Sequence, residues 1–284
     1  MSLLPATVKA NSIIQSLQIR YPSEIDIKEI SMERGAYVRE RNIDGAEAWL
    51  VRKGNKAIIT VNGRLQEQGR KRFAIAHELG HFELHSDSQL VICSNEDMYI
   101  WNRSKAQEIE ANEFALCILM PEVIFSRYIK NEAPNMAMVS ELSSEFGTTL
   151  TATALRYAQL SPEPCAVVLS KNCILRWYKR SDSFGFHLKV GEKLSPNTYA
   201  FDSFEGSELP TKPRSVPAAA WIDGDIDPDG EIIEHSVALR SYGVVLSLLW
   251  VDKEIRSQFQ KRDDEDPEFD LTDKFTPDGK RWQW

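Results

Sequence analysis

Three of the five histidines in this 284-residue chain fall within nine positions, in His77-Glu78-Leu79-Gly80-His81-Phe82-Glu83-Leu84-His85. His77 and His81 are four apart. On a helix that spacing puts them on one face about a turn from each other, so both imidazoles reach a single metal ion. Glu78, one position past the first histidine, is placed to address a metal-bound water rather than the metal. This is the HExxH arrangement, and the chemistry it serves is metal-assisted hydrolysis. Phe73, Ala76, Gly80 and Leu84 share or border the histidine face, which is therefore expected to be buried. Burying two imidazoles without partners costs about 1–3 kcal/mol each, and a metal ion satisfies both.

A second segment, Ala106 to Pro121, supplies carboxylates. Glu108, Ala111, Asn112 and Ala115 form one stripe at i, i+3, i+4 and i+7, with small residues that let another helix approach closely. Glu108 is the expected third ligand. Glu110 is its rival, but a two-residue shift turns it about 200° around the helix, away from the Asn112 stripe. His77, His81 and Glu108 with an open fourth position make a catalytic zinc set, in which Glu78 takes a proton from water and hands it to the leaving amine. Amide hydrolysis is the expected reaction. The alternatives are histidines that only hydrogen-bond to their neighbours and a zinc site without catalysis.

The paired motifs, Arg72-Phe-x-Ile-Ala-His-Glu-Leu-Gly-His81 and Glu108-x-x-Ala-Asn-x-Phe-Ala-x-x-x-Leu-Met-Pro121, resemble those of the ImmA/IrrE metallo-endopeptidases. The resemblance covers about residues 5–160. It implies that His77, His81 and Glu108 bind one zinc ion and that Glu78 is the catalytic base. It also implies a substrate: a transcriptional repressor carrying a helix-turn-helix, whose cleavage releases genes for prophage excision, radiation response or antiviral defence. The two-part layout looks most like the defence-associated CapP type, which implies a second domain that senses a signal such as single-stranded DNA. Nothing in the second half matches a known ligand site residue by residue.

The elements that must hold these residues point to an α+β fold. Residues 5–20 read as an amphipathic helix ended by Tyr21-Pro22. Ala36–Val38, Ala48–Val51 and Ala57–Val61, divided by Asp44-Gly45 and Gly54-Asn55, read as a small antiparallel sheet. Helices follow over 65–85 and 104–119, and Pro121 opens a third. Val139–Phe146 and 148–160 around Gly147 form a helix-turn-helix-like hairpin. Its second helix brings only Arg156 and Gln159 to a groove, so packing on the first domain is preferred to reading DNA. After Ser161-Pro-Glu-Pro164 the pattern turns to strands at Ala166–Leu169, Ile174–Tyr178, Phe184–Leu188, Ala218–Ile222 and Val244–Val251. The expected organisation is a zincin-like helical metallopeptidase domain over 1–160 and a strand-rich sensor or regulatory domain over 161–284.

Composition narrows the function classes. The chain is 42% apolar and 27% charged with a net charge of −8, and both parts are acidic, which argues against a nucleic-acid coat. The longest apolar run, Tyr242 to Val251, is about half the roughly 20 residues a membrane helix needs, so neither membrane nor lipid is an expected partner. Met1-Ser-Leu-Leu-Pro5 lacks the features of a secretory signal, and Cys93, Cys117, Cys165 and Cys173 include no CxxC pair. A cytoplasmic chain with reduced thiols is expected.

Weaker signals surround the site. Cys93, between the two metal helices, is either an inhibitory ligand at the open zinc position or a small buried hydrophobe. His85 is an oxyanion donor, a partner for a second carboxylate, or a surface histidine at a helix end. Tyr99 and Tyr128 are further oxyanion candidates. Lys171, Arg176, Trp177, Tyr178, Lys179 and Arg180 interleave cations and aromatics as a single-strand platform would, although Trp177 and Tyr178 face opposite sides of a strand. Trp282 and Trp284 read as a docked tail, and Asp263–Asp266 as a solvated loop. Two readings compete with the peptidase: a non-catalytic zinc-containing regulatory module that binds the repressor without cleaving it, and a DNA-binding regulator using residues 139–160.

Overall fold

The structure, a computed structural model, describes residues 5–85, 90–94, 106–130, 132–224, 227 and 229–251. It divides into two compact units, Met1–Lys130 with Ala137–Arg156, and Asn131–Met136 with Tyr157–Trp284. Among the described residues no helix is long and apolar enough to cross a membrane.

The first unit opens with α1 (Pro5–Ser16), which buries Ala6, Ala10, Ile13 and Ile14. A short helix α2 (Ile27–Glu33) follows, capped by the Asp26 side chain, which accepts from the amides of Lys28 and Glu29. The residue pattern suggests only strands here, because seven residues are too few for the 3.6-residue period to stand out. Strands β1 (Ala36–Arg41), β2 (Ala46–Lys53), β3 (Lys56–Asn62) and β4 (Leu90–Ser94) make a sheet in the order β1-β3-β2-β4. The expected small antiparallel sheet is in fact mixed. β2 and β3 form a hairpin across Gly54-Asn55 and β4 runs antiparallel to β2, but β1 pairs parallel with β3. Asp44-Gly45 is not a hairpin turn; the chain there crosses over to place β2 on the far side of β3. Gly35, at φ +90°, enters β1 so close to that hairpin that a Cβ would lie 2.8 Å from the Asn55 carbonyl oxygen.

One face of the sheet, Ala36, Ala48, Leu50, Ala57, Ile59 and Val61, is buried. The sheet packs against α3 (Gln68–Leu84), which also packs along α4 (Ala106–Leu119). Pro121 caps only a single turn, α5 (Glu122–Phe125). The hairpin is α6 (Met136–Phe146) and α7 (Leu150–Leu160) around Gly147 at φ +59°. It is tied to the rest of the unit by two arginines. Arg72 donates to the carbonyls of Ile25 and Phe146, and Arg156, 3% exposed, donates through Nε to the Met120 carbonyl at 2.9 Å. The side chain that a DNA-reading helix would have presented is therefore turned into the protein.

The second unit is built on an antiparallel sheet in the order β6-β5-β11-β10-β8, from β5 (Cys165–Lys171), β6 (Ile174–Arg180), β8 (Arg214–Pro217), β10 (Glu231–Leu239) and β11 (Val244–Trp250). A two-stranded ladder of β7 (His187–Leu188) and β9 (Ile222–Asp223) and the helix α8 (Tyr199–Phe204) complete it. Two expected strands shrink. Phe184–Leu188 is extended only at its last two residues, and Ala218–Ile222 begins as a 3-10 turn at Ala218–Ala220. β8, β10 and α8 have no counterpart among the elements expected from the sequence. Val168, Leu175, Trp221, Ile232, Val245 and Leu249 belong to the core of this unit. Within it sits Glu234, 1% exposed, which accepts from the amides of Tyr199 and Ala200, the indole of Trp221 and the hydroxyl of Ser236.

Candidate metal centre

α3 is buried on all sides from Ala74 to Phe82, and this stretch carries His77, Glu78 and His81, all at most 1% exposed. Gly80 lies close against α4. A Cβ there would stand 3.1 Å from Ala111 Cα and 3.2 Å from the Phe114 ring, so glycine opposite alanine is what lets the two backbones meet. The approach brings Glu108, in the first turn of α4, to the histidines. Its Oε2 lies 3.2 Å from His77 Nε2 and 3.4 Å from His81 Nε2, and the two Nε2 atoms are 3.1 Å apart. Among the described residues this is the cluster able to hold a metal ion, with all its ligand atoms within 4.8 Å of one another.

Hydrogen bonds behind the rings set their tautomers. His77 Nδ1 faces Asn112 Oδ1 at 2.9 Å, and an amide oxygen only accepts, so the ring carries a proton on Nδ1. Its Nε2 then presents a lone pair into the space shared with His81 and Glu108. Lone pairs and a carboxylate converging at these distances repel unless a cation sits among them. The titration of the groups agrees. Burial raises the Glu108 carboxyl, but the two imidazoles override it and hold it well below the usual carboxylate range. Burial lowers His77, but Glu108 and Glu78 together raise it above its ordinary value, while burial and the neighbouring His77 lower His81. Two imidazole nitrogens and one carboxylate oxygen are a donor set that fits zinc.

His85 is neither at the surface nor available to an oxyanion. It is buried, with Nδ1 3.0 Å from His81 Nδ1 and Nε2 2.9 Å from Glu110 Oε2. The expected oxyanion role fails because both ring nitrogens are engaged. Glu110 is outside the metal cluster, as its rotation around the helix implied, yet its side chain reaches the end of α3. That pairing fits the second-carboxylate role offered for His85, although the sequence did not name Glu110 as its partner, and the hold of Asn112 on His77 goes beyond what the sequence suggested. The i, i+4 repeat from His81 to His85 was the available signal. Arg52 fixes the same helix end, donating to the carbonyls of Phe82 and His85.

Of the remaining candidates, the Cys93 backbone sits in β4 opposite Ala48, while its side chain, Tyr99, Asp263–Asp266, Trp282 and Trp284 lie outside the described residues. Tyr128 packs edge-on against Phe146. In β6, Tyr178 packs on the core of the second unit and Arg180 donates to the carbonyls of Phe184 and Phe186. Lys171 and Arg176 are exposed. Two of the six residues of the expected platform are thus spent on internal structure.

Residues 31–157 match the family model of the IrrE N-terminal-like domain, Peptidase_M78. The IrrE-like segment contains the whole cluster, from His77 to Glu108, together with Glu78. An 80-residue stretch is 32% identical to "Uncharacterized immunity region protein 2" of Bacillus phage phi105, covering 28% of this chain and 48% of that protein. The chain thus spans about half the length of that relative. A Mycobacterium tuberculosis transcriptional regulator has a similar fold, with a TM-score of 0.59 over 87% of this chain and 76% of that one, at 18% identity. The IrrE-like match agrees with the family resemblance carried by the two motifs.

Proposed function

We propose that the chain is a zinc-dependent endopeptidase that hydrolyses a peptide bond in a partner protein. The observation that carries this reading is the convergence of His77 Nε2, His81 Nε2 and Glu108 Oε2 beside the buried carboxylate of Glu78, within a segment that matches a peptidase family. His77, His81 and Glu108 would hold the metal. Zinc supplies a Lewis acid for the scissile carbonyl and acidifies water to a pKa near 7. Glu78, one residue beyond the first ligand, takes the proton from the attacking water and delivers it to the leaving nitrogen. Asn112 keeps the His77 ring turned so that Nε2 faces His81 and Glu108, where the metal would be held.

A helix-turn-helix transcriptional repressor is the substrate class we favour. Two likenesses support it: one to a protein of a phage immunity region, the other to the fold of a mycobacterial transcriptional regulator. We extend the reading to a cytoplasmic enzyme of the CapP type, with the strand-rich unit as sensor of stress or DNA damage and single-stranded DNA as the activator to try. The exposed Lys171 and Arg176 and the half-buried Lys179 are the cations left to meet it.

The test is cleavage of a neighbouring-gene repressor, followed by product mass spectrometry with and without single-stranded DNA. Glu78→Gln is expected to retain zinc and to lose cleavage by about 10²–10⁴-fold. Full biological activity of that variant would instead identify a module that binds its repressor without cutting it.

A further inference from the structure

The two metal-facing imidazoles are held from behind by different chemistry. His77 Nδ1 meets the neutral amide of Asn112, whereas His81 Nδ1 meets a second imidazole that is itself bound to a carboxylate. The His81 and His85 rings are 5.1 Å apart between centroids and tilted by 52°, so the contact is nitrogen to nitrogen rather than a stack. Two facing ring nitrogens share one proton, and which ring owns it is decided at the ends of the chain. Glu110 only accepts, so His85 carries its proton on Nε2 and offers Nδ1 as a lone pair. His81 must then donate from Nδ1, which leaves its Nε2 lone pair aimed at His77 and Glu108. Burial rises along the same path, with side-chain exposure of 42% at Glu110, 6% at His85 and 1% at His81. Charge is thus kept where water reaches it and the ligand where water does not. Arg52, bonded to the His85 carbonyl at 2.8 Å, fixes the backbone from which the middle ring hangs.

We propose that Glu110 and His85 are positioning residues that select the metal-binding tautomer of His81 and pass the negative charge of Glu110 toward the metal. The inference deepens the metallopeptidase reading and rests on it. A carboxylate–imidazole chain behind a ligand fixes the ring and raises its basicity, and loss of such a partner weakens metal binding about 10–100-fold.

The experiment is zinc affinity of the full chain by competition with a chromophoric chelator, beside thermal unfolding of the metal-free proteins. Glu110→Leu and His85→Phe are expected to weaken zinc binding by about 10–100-fold. Glu110→Gln, which keeps an acceptor but no charge, should fall between them and the parent. Unfolding midpoints of the metal-free variants should match the parent. Nitrogen-correlated NMR of the histidine rings should show His81 protonated on Nδ1 in the parent and a mixture of tautomers in Glu110→Leu. Parent-like zinc affinity in both Glu110→Leu and His85→Phe overturns the proposal, as does a loss of affinity matched by an equal loss of metal-free stability. If Glu110→Leu does not fold, Glu110→Gln decides: parent-like zinc affinity and an unaltered His81 tautomer overturn the proposal. A parent that binds no zinc, or a Glu108→Ala variant that binds it as tightly as the parent, sinks the metallopeptidase reading itself.

Discussion

At the scale of single residues, the site is a place built to attract a cation. Zinc ligands must be unprotonated, and His77, raised above the ordinary value of about 6.5, holds its proton against the metal over a wider pH range than a free imidazole. In the metal-free protein a raised histidine stabilises the fold below its unfolded pKa, and that contribution is lost as pH rises through the folded value. Zinc binding at the proposed site is expected to strengthen over the same rise. The increase in unfolding temperature on adding zinc is therefore expected to be larger near pH 8 than near pH 6, which calorimetry at the two pH values would check. The thiols give an independent reading of burial. Cys117 and Cys165 are both pushed up to about 11 by burial, so almost no thiolate forms at neutral pH. Iodoacetamide is expected to spare both in the folded chain and to label the half-buried Cys173 before them, as peptide mass spectrometry would show.

At the scale of elements, α3 depends on two glycines at close approaches. A Cβ at Gly69 would lie 2.7 Å from the Thr148 carbonyl carbon and 2.8 Å from the Thr149 amide, both backbone atoms that cannot turn aside. Gly69→Ala is expected to destabilise by about 1–3 kcal/mol despite alanine's better helix propensity of about 1 kcal/mol, measured by urea unfolding. At Gly80 the overlap is milder, but the neighbour is the backbone of α4 at Ala111. Gly80→Leu should push α4 away and carry Glu108 with it, so zinc affinity is expected to fall together with stability. A Gly80→Leu protein with parental zinc affinity would show that the helix contact does not place the third ligand. α3 was legible because its histidines lie four apart in a long apolar segment, although the structure buries Ala74–Phe82 on every side and not along one face. β10 was not, since Glu231, Glu234, His235 and Ser236 interrupt any apolar alternation. Burial of the last three is made tolerable by partners from α8, β11, the Trp221 indole and the Met136 amide.

At the scale of the whole molecule, the two units rest on different polar anchors. The first is closed by the histidine–carboxylate cluster and by Arg72 and Arg156 reaching main-chain carbonyls. The second is closed around Glu234, whose four donors include the first turn of α8 and the Trp221 indole. Glu234→Ala leaves the Tyr199 and Ala200 amides and the Trp221 indole without that acceptor and is expected to destabilise the second unit by roughly 3 kcal/mol or more. The zinc affinity of the His77, His81 and Glu108 cluster should stay at the parental value. Chemical unfolding followed by circular dichroism, with a chelator titration alongside, would check both halves.

The sequence by itself determined what depends on short separations along the chain. It placed the histidine pair and Glu78 on one turn, and the small-residue stripe that admits a second helix beside Glu108, because helical geometry ties residue spacing to a face. Tertiary structure decided everything that needs two distant segments to meet: the parallel pairing of β1 with β3, Glu110 against His85, Asn112 behind His77, and Glu234 amid its donors. A polar side chain carries no periodic mark of the partner it will find, so its role is set only when packing brings that partner within hydrogen-bond reach.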